Sequence, residues 1–377
     1  MTTKPLKIFV SALEYSSNIH LNTLIQNLQK NKIHFELEGI FDSTQIPNKS
    51  LFSVEEFRVM GFVDILKLLP KYFNIQQTLL KKIQNCDIAI FMDSSSFNLP
   101  IIKRLAKYPK KPYIIYYILP QVWAWKAYRA KIIAKTCDGL WGILPFERIY
   151  YPKQTNISYV GHPLLDILPF EYQTRRITNV VAFMPGSRKS EIMKLMPVFK
   201  RLAQLLKVRN KQALLIIPKH LKKTNLQTIY GDTSDFIQCF DVYEGLKTCE
   251  ISFVCSGTAT LETTLLGIPT ILVYKAKPLD FFLAKLLVKL HYIGLPNIIL
   301  EFHYFQSPKN NPTPKDFPII PEILQNKVTP KTLLNALDTF DYQKFFTQKQ
   351  ILRNYLKNGS VQTCVEKIKN FAKNLSK

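Results

Sequence analysis

The sequence contains few glycines and few cysteines for its length. Twelve of the 377 residues are glycine and six are cysteine. No G-x-G-x-x-G follows the first apolar run and no Walker A sequence is present, which argues against a nicotinamide-dependent dehydrogenase. The cysteines form no C-x-x-C pair and no cluster with histidine, so they are typical of buried free thiols in a reducing compartment.

Long uncharged apolar runs are also missing. No stretch reaches the roughly 18 apolar residues that a membrane-spanning helix requires. The first residues, MTTKPLKIFVSALEYSS, lack the basic segment, long apolar core and small-residue cleavage site of a secretory signal. We therefore expect a cytoplasmic protein, or one that binds a membrane surface from that side.

Acidic residues are scarce relative to basic ones. The chain has 51 Lys and Arg against 27 Asp and Glu, a formal net charge of +24. Because such an excess destabilises a compact chain through self-repulsion, it often marks an anionic partner. A compositional bias of the genome would give the same excess. No nucleic-acid-binding signature is present, so we expect an anionic membrane or a phosphorylated substrate rather than nucleic acid.

What the sequence does contain is an alternation of short apolar runs with longer segments of helical period. The first runs are continuous, as in parallel strands covered on both faces, and lie at 7–13, 35–40, 87–93, 113–119, 140–144 and 157–161. The pattern breaks at about 162–178 and restarts with runs at 179–186, 213–218, 235–240, 251–257 and 269–274.

This rhythm predicts an α/β fold with two successive doubly wound, Rossmann-like domains that face across a cleft. The predicted domains are residues 1–167 and 168–344. The final segment, 345–377, is predicted to be a basic helix that packs on either domain.

The segment MPGSRKSE, 184–191, joins a predicted strand to a predicted helix. Gly186 allows a sharp turn, and Ser187 can cap the helix, whose free N–H groups suit an anion. Arg188 offers a forked donor that matches phosphate. An ordinary turn with a surface arginine would look the same, so the position at the start of the second domain is what favours a phosphate site.

The segment SGTATLE, 256–262, opens another helix after a strand. The small residues Ser256, Gly257, Thr258 and Ala259 would let a phosphate approach the backbone closely. Glu262, one turn into the helix, could accept hydrogen bonds from a ribose hydroxyl pair. A glutamate at this position is also common in the first turn of an ordinary helix, where its negative charge interacts favourably with the helix macrodipole.

Two further segments hold polar groups near predicted strand ends. In MDSSSFN, 92–98, Asp93 could serve as a general base at the strand end, or could cap the next helix. In YILPQVWAWKAYRAKII, 117–133, Trp123 and Trp125 stand beside basic residues and could pack a domain edge or contact lipid and sugar.

Two segments, 59–73 and 278–296, combine apolar and basic residues. Such a composition suits the interface of an anionic bilayer. Amphipathic core helices would show the same pattern.

Together these segments resemble the lipid-A-disaccharide synthases. The strings that carry the resemblance span most of the chain and are, in order, VMGFVDIL, MDSSSFN, PQVWAW, LPFE, YVGHPLLD, MPGSRKSEI, SGTATLETTLLGIP, YIGLPNIIL and PEILQ. The resemblance implies a GT-B glycosyltransferase, peripheral on the cytoplasmic face of the bacterial inner membrane, that needs no metal or cofactor and no stable protein partner.

The implied reaction joins UDP-2,3-diacylglucosamine, the donor, to 2,3-diacylglucosamine 1-phosphate, the acceptor. It inverts the anomeric carbon and gives a β-1,6-linked lipid A disaccharide 1-phosphate and UDP. An alternative is another GT-B transferase that uses a UDP-sugar and a different lipid-linked acceptor. A catalytically inactive membrane- or nucleic-acid-binding protein on the same scaffold is the second alternative.

The resemblance also implies roles for particular residues. Asp93 matches the family's strand-end Asp, its candidate general base, and Arg188 matches the critical Arg of the G-S-R turn. Glu14 matches a Glu in the first strand-to-helix loop and is expected to be catalytic, as are Asp93 and Arg188. His162 matches a His at the domain junction. The residues expected to hold the nucleotide are Gly186, Ser187, Arg188, Ser256, Gly257, Thr258, Ala259, Glu262, Asn297, Glu322 and Gln325.

The first loop departs from the family pattern. That loop usually reads like G-E-T-S-G-D, whereas residues 13–18 here read L-E-Y-S-S-N. Both glycines are missing and Asn18 replaces an acid, so that acid has no catalytic role in this chain. Ser96 is a second departure, because relatives often carry an Asp there.

Overall fold

The computed structural model describes residues 4–54, 65–222, 225–276, 290–305 and 318–375, with the backbone alone for 65–73 and 220. The chain forms two compact units, Met1–Ile167 together with Leu356–Lys377, and Leu168–Tyr355. Most of the predicted bilayer-contacting segments, 59–73 and 278–296, lies outside the described residues. In the described parts of the chain, no helix combines the length and the apolar composition that crossing a bilayer requires.

The first unit is a parallel sheet with helices in the crossovers. Its elements are β1 (Leu6–Ala12), α1 (Tyr15–Lys30), β2 (Phe35–Ile40), α2 (Ile65–Ile83), β3 (Ile88–Met92), α3 (Ser95–Leu105), β4 (Tyr113–Tyr117), α4 (Tyr128–Thr136), β5 (Gly139–Gly142) and β6 (Ile157–Tyr159). The strand order is β2-β1-β3-β4-β5-β6, and every pair is parallel.

Alternate residues of β1 enter two different cores, which explains its continuous apolar sequence. Ile8 and Val10 pack on one face of the sheet with the buried side of α1, whereas Phe9 packs on the other face. Helices thus cover both faces, as in a doubly wound fold.

The second unit repeats this plan. Its elements are β7 (Val180–Met184), α5 (Lys189–Val208), β8 (Gln212–Ile216), α6 (Leu226–Tyr230), β9 (Ile237–Cys239), α7 (Val242–Thr248), β10 (Ile251–Cys255), α8 (Thr258–Leu265), β11 (Thr270–Tyr274), α9 (Leu295–Phe305), β12 (Glu322–Leu324), α10 (Pro330–Asp338) and α11 (Tyr342–Leu356). The strand order is β12-β11-β10-β7-β8-β9, again all parallel. The predicted class, two doubly wound α/β units, is confirmed.

A buried lysine fastens α11 to the segment between the two sheets. Lys349 is fully buried, and its ammonium donates to Glu171 Oε1 at 2.6 Å, to the carbonyl of Tyr172 at 2.8 Å and to Gln173 Oε1 at 3.1 Å. Arg353, one turn further on, pairs with the other oxygen of Glu171 at 3.0 Å. Burial lowers the pKa of Lys349, and the three acceptors offset much of the cost of removing its charge from water.

The C-terminal segment differs from its prediction. A single helix was expected within 345–377, but the structure has two, α11 and α12 (Ser360–Leu375). The helix ends because Lys357 and Gly359 take positive φ values of 48° and 83°. Asp166 then accepts from the N–H groups of Gly359 at 2.6 Å and Val361 at 2.8 Å, which satisfies free donors at the start of α12. This last helix packs in the first unit against α1.

Candidate active site

The structure brings two predicted site residues of the first unit together. Glu14 follows β1 and Asp93 follows β3, and these strands are parallel neighbours. Their carboxyl ends therefore meet at one edge of the sheet. The hydroxyl of Ser94 donates to Glu14 Oε1 at 3.5 Å, and that of Ser17 donates to Asp93 Oδ2 at 3.4 Å.

The backbone at Asp93 is held in an uncommon conformation. Asp93 and Ser94 have φ values of 51° and 23°, in the left-handed region that favours glycine. Two side chains bind the Asp93 carbonyl from neighbouring elements: the Tyr116 hydroxyl donates to it, as does Asn98 Nδ2 at 3.2 Å. Asn98 is itself fixed by Ser11, whose hydroxyl donates to its Oδ1 at 2.7 Å. The turn is thus set by its surroundings.

The Asp93 carboxyl group is poised for proton transfer near neutral pH. Burial raises its pKa to about 6, and the charge of Glu14 adds to this effect. Hydrogen bonds from the Ser94 N–H and the Ser17 hydroxyl act in the opposite direction. A general base is most effective when its pKa lies near the working pH, so this environment suits the predicted role.

Asn18 explains the departure of the first loop from the family pattern. Its buried Nδ2 donates to the carbonyls of Ala12 at 2.9 Å and Glu14 at 2.8 Å, and its Oδ1 accepts from the N–H of Asp42 at 2.7 Å. A carboxylate has no N–H to donate and could not make the first two bonds. Asn18 therefore anchors the loop to the ends of β1 and β2.

In the second unit the G-S-R turn lies beside the end of β10. Gly186 has a φ of 105°, and a Cβ there would lie 2.7 Å from Glu191 Oε2 and 3.3 Å from Cys255 Sγ, so glycine is required. The predicted Ser187 cap is wrong, because Arg188 occupies the N-cap position of α5 and makes no cap bond. Without a side-chain acceptor, the first N–H groups of α5 keep their capacity for an anion.

Arg188 projects into solvent beside this helix start. Its side chain is 78% exposed, and its only ion pair among the described residues is with Glu191 at 3.4 Å. An exposed arginine held this loosely can turn towards a phosphate at little cost.

The second predicted anion site is the start of α8. Gly257 is the N-cap and has no side chain to bind the first N–H groups, and Gly257 and Thr258 are both exposed. Because β7 and β10 are parallel neighbours, α5 and α8 begin at the same edge of the sheet. The structure thus brings together the two segments that were each predicted to bind phosphate.

Glu262 has a partner that sequence reasoning missed. The hydroxyl of Tyr243, at the start of α7, donates to Glu262 Oε1 at 2.7 Å. Burial raises the pKa of Glu262, and this bond works against that increase. Nineteen residues separate the pair and no motif links them, so nothing in the sequence could have indicated the contact.

Asn297 and Glu322 form a hydrogen-bonded pair within the second unit. The Glu322 carboxylate accepts from the N–H groups of Ile293 at 2.9 Å and Gly294 at 3.0 Å, and from Asn297 Nδ2 at 2.8 Å. These bonds hold the loop before α9 against β12. Nearby, Gln325 has a φ of 54°, and its buried Nε2 has no partner among the described residues. Contacts of these three residues with a nucleotide stay a prediction.

His162 is buried in the first unit. Its Nδ1 accepts from the N–H of Leu164 at 3.3 Å, and burial lowers its pKa to about 3. The ring is therefore neutral at physiological pH. In the described parts of the chain, no group of three or more His, Cys, Asp or Glu side chains is arranged to hold a metal ion.

Two neighbours of known structure share this two-unit fold. The UDP-GlcNAc 2-epimerase of Neisseria meningitidis bound to UDP-GlcNAc has a TM-score of 0.60 at 12% identity, over 98% of this chain and 100% of that one. Acinetobacter baumannii MurG has a TM-score of 0.51 at 11% identity, over 97% and 100%. At such low identities these neighbours show the fold alone, and it is the predicted GT-B fold.

Sequence comparison is more specific. The model of the lipid-A-disaccharide synthetase family matches residues 8–355. The chain is 42% identical over 366 residues to the lipid-A-disaccharide synthase of Helicobacter pylori J99, covering 96% of this chain and 97% of that protein. It is 40% identical over 370 residues to the Campylobacter jejuni RM1221 enzyme of the same name, covering 94% and 96%. The chain therefore belongs to the lipid-A-disaccharide synthetase family.

Proposed function

We propose that the chain joins UDP-2,3-diacylglucosamine to 2,3-diacylglucosamine 1-phosphate, giving the β-1,6-linked lipid A disaccharide 1-phosphate and UDP. Family membership supports the reaction. The catalytic assignment is carried by the environment of Asp93: side chains of β4 and α3 bind its carbonyl, and burial raises the pKa of its carboxyl group to about 6.

The proposed chemistry is a single inverting displacement. Asp93 takes the proton from the acceptor 6-hydroxyl as that oxygen attacks the anomeric carbon of the donor, and the bond to the UDP oxygen breaks. Arg188 and the open starts of α5 and α8 stabilise the negative charge that develops on the diphosphate. Glu262 binds the ribose hydroxyls. In this proposal the protein supplies the positive charge, and no metal ion takes part.

The reaction is tested in neutral detergent micelles with both substrates and a chelator. Mass spectrometry follows disaccharide and UDP. Disaccharide that forms in the chelator supports both the reaction and its independence from metal. Folded protein that binds UDP but makes no disaccharide would instead support the alternative, a GT-B transferase with another lipid-linked acceptor.

Replacement of the candidate base should stop the chemistry and spare donor binding. We expect Asp93→Asn to lower kcat at least about 100-fold, the usual contribution of a general base, with little change in the Kd for UDP. Asp42→Asn is the matched control, because Asp42 follows β2 at the same edge of the sheet. Near-normal turnover in Asp93→Asn would remove Asp93 from the mechanism.

The pH dependence of the rate should report the same group. Because the base must be ionised and burial raises the pKa of Asp93 to about 6, kcat/KM should fall about tenfold per pH unit below pH 6 and level off above pH 7. Circular dichroism at each pH controls for unfolding. A rate that stays flat down to pH 4.5 would contradict the assignment.

The bond from Tyr243 should orient Glu262 for the donor. We expect Tyr243→Phe to raise the KM for the UDP-sugar about fivefold, the usual worth of one hydrogen bond, with kcat unchanged. Tyr230→Phe is the control, because the buried Tyr230 hydroxyl has no partner among the described residues. Equal KM values in the two variants would separate Glu262 from donor binding.

We also propose that the protein binds the anionic cytoplasmic surface of the inner membrane. The net charge of +24 supports this placement. Because salt screens such attraction, binding to vesicles that contain anionic lipid should weaken steeply as salt increases, whereas neutral vesicles should bind little at any salt concentration. Co-sedimentation measures both. Vesicle binding that is insensitive to salt would show that electrostatic attraction does not hold the protein on the membrane.

A further inference from the structure

A cluster of basic and aromatic side chains follows β4, whose end lies at the same sheet edge as Asp93. Trp125 is 46% exposed. Lys126 Nζ lies 4.2 Å from the centre of its ring, and Arg129 Cζ lies 5.7 Å from it. We call Trp125, Lys126 and Arg129 the basic cluster. Its two cations share one aromatic ring.

Arg129 connects the basic cluster to the residues that follow the candidate base. It is only 8% exposed. Its terminal nitrogen Nη1 donates to the hydroxyl of Ser95, and its Nη2 donates to the hydroxyl of Ser96 at 3.4 Å. These serines begin α3, two and three residues after Asp93. The basic cluster and the candidate base therefore lie side by side in the first unit.

The charges of the basic cluster are not neutralised within the described parts of the chain. There, no carboxylate lies within ion-pair distance of Lys126 or Arg129, although the unit offers Glu14 and Asp93 at the same edge. Serine hydroxyls and an aromatic face stabilise a cation without cancelling its charge. A nearly buried guanidinium without a counter-ion is costly, so the arrangement suits an anionic ligand.

We propose that the basic cluster, with the Ser96 hydroxyl, binds the phosphate monoester of the acceptor sugar. This inference rests on the proposed function, in which the acceptor carries a 1-phosphate and Asp93 contacts its 6-hydroxyl. The forked donor of Arg129 and the point charge of Lys126 would bind the dianion. Binding one end of the sugar there would orient the other end towards Asp93. The cluster would thus select a phosphorylated acceptor over a neutral one.

The test compares two acceptors, 2,3-diacylglucosamine with and without its 1-phosphate, in neutral detergent micelles. The measured quantity is the kcat/KM for the phosphorylated acceptor divided by the kcat/KM for the acceptor without phosphate. Arg129→Lys keeps the charge but loses the fork, and Lys126→Met removes a charge at an exposed position. Each should lower the ratio about tenfold or more, as expected for loss of a charge-assisted hydrogen bond. Lys131→Met, at an exposed position of α4, is the matched control and should leave the ratio unchanged.

The outcomes separate this inference from the proposed function. Wild-type protein that makes no disaccharide from either acceptor overturns both. Wild-type protein that makes disaccharide, with an unchanged ratio in Arg129→Lys and Lys126→Met, overturns the phosphate site alone. An unchanged ratio with weaker binding to anionic vesicles assigns the cluster to lipid headgroups and also overturns it. If Arg129→Lys does not fold, the acceptor ratio of Lys126→Met alone tests the phosphate site.

Discussion

Backbone groups at the carboxyl end of a parallel sheet must find partners where the strand ladder stops, and buried amide side chains meet this constraint here. Asn18 joins the ends of β1 and β2, and Asn98 joins β1 to the turn after β3. In the second unit the Glu322 carboxylate, which accepts from Asn297, binds backbone N–H groups of the loop before α9. The contacts of Asn98 stabilise the left-handed backbone at Asp93. This backbone conformation in turn fixes the position of the candidate base.

The sequence predicts features that depend on local patterns. The continuous apolar runs indicated buried parallel strands, and the structure confirms two doubly wound units. Strand β12 was not predicted because Pro321 and Glu322 interrupt the apolar residues around it. The division of the last helix at Lys357 and Gly359 was not predicted either. The carboxylate that binds the start of α12, Asp166, is almost 200 residues away along the chain.

The candidate site shows the same limit. Sequence motifs placed Asp93, Arg188 and the start of α8 at strand ends, because strand-to-helix turns are visible in the sequence. The partners that orient these groups come from distant segments: Tyr116 for Asp93, and Tyr243 for Glu262. The loop residue Asn18 stood out only as a departure, and its purpose became clear from three hydrogen bonds to the backbone.

A perturbed carboxyl group alone does not identify a catalytic one. Burial raises the pKa of Glu147 to about 8, a larger shift than that of Asp93. Glu147 nevertheless accepts from the N–H groups of Ile143 and Leu144 at 2.9 and 3.0 Å, which fixes the turn after β5. Asp93 differs because it stands at a strand end beside a second carboxylate and a cluster of cations.

The return of α12 to the first unit bears on how the protein is made. Val361, Cys364, Val365 and Ile368 are buried in the same core as β1 and α1. A ribosome synthesises the chain from its N-terminus, and domains generally fold as they emerge. The first sheet is therefore translated early but cannot complete its core until α12, more than 180 residues after β6, has been synthesised. The second unit, although its synthesis begins later, has all of its own residues before the first unit does.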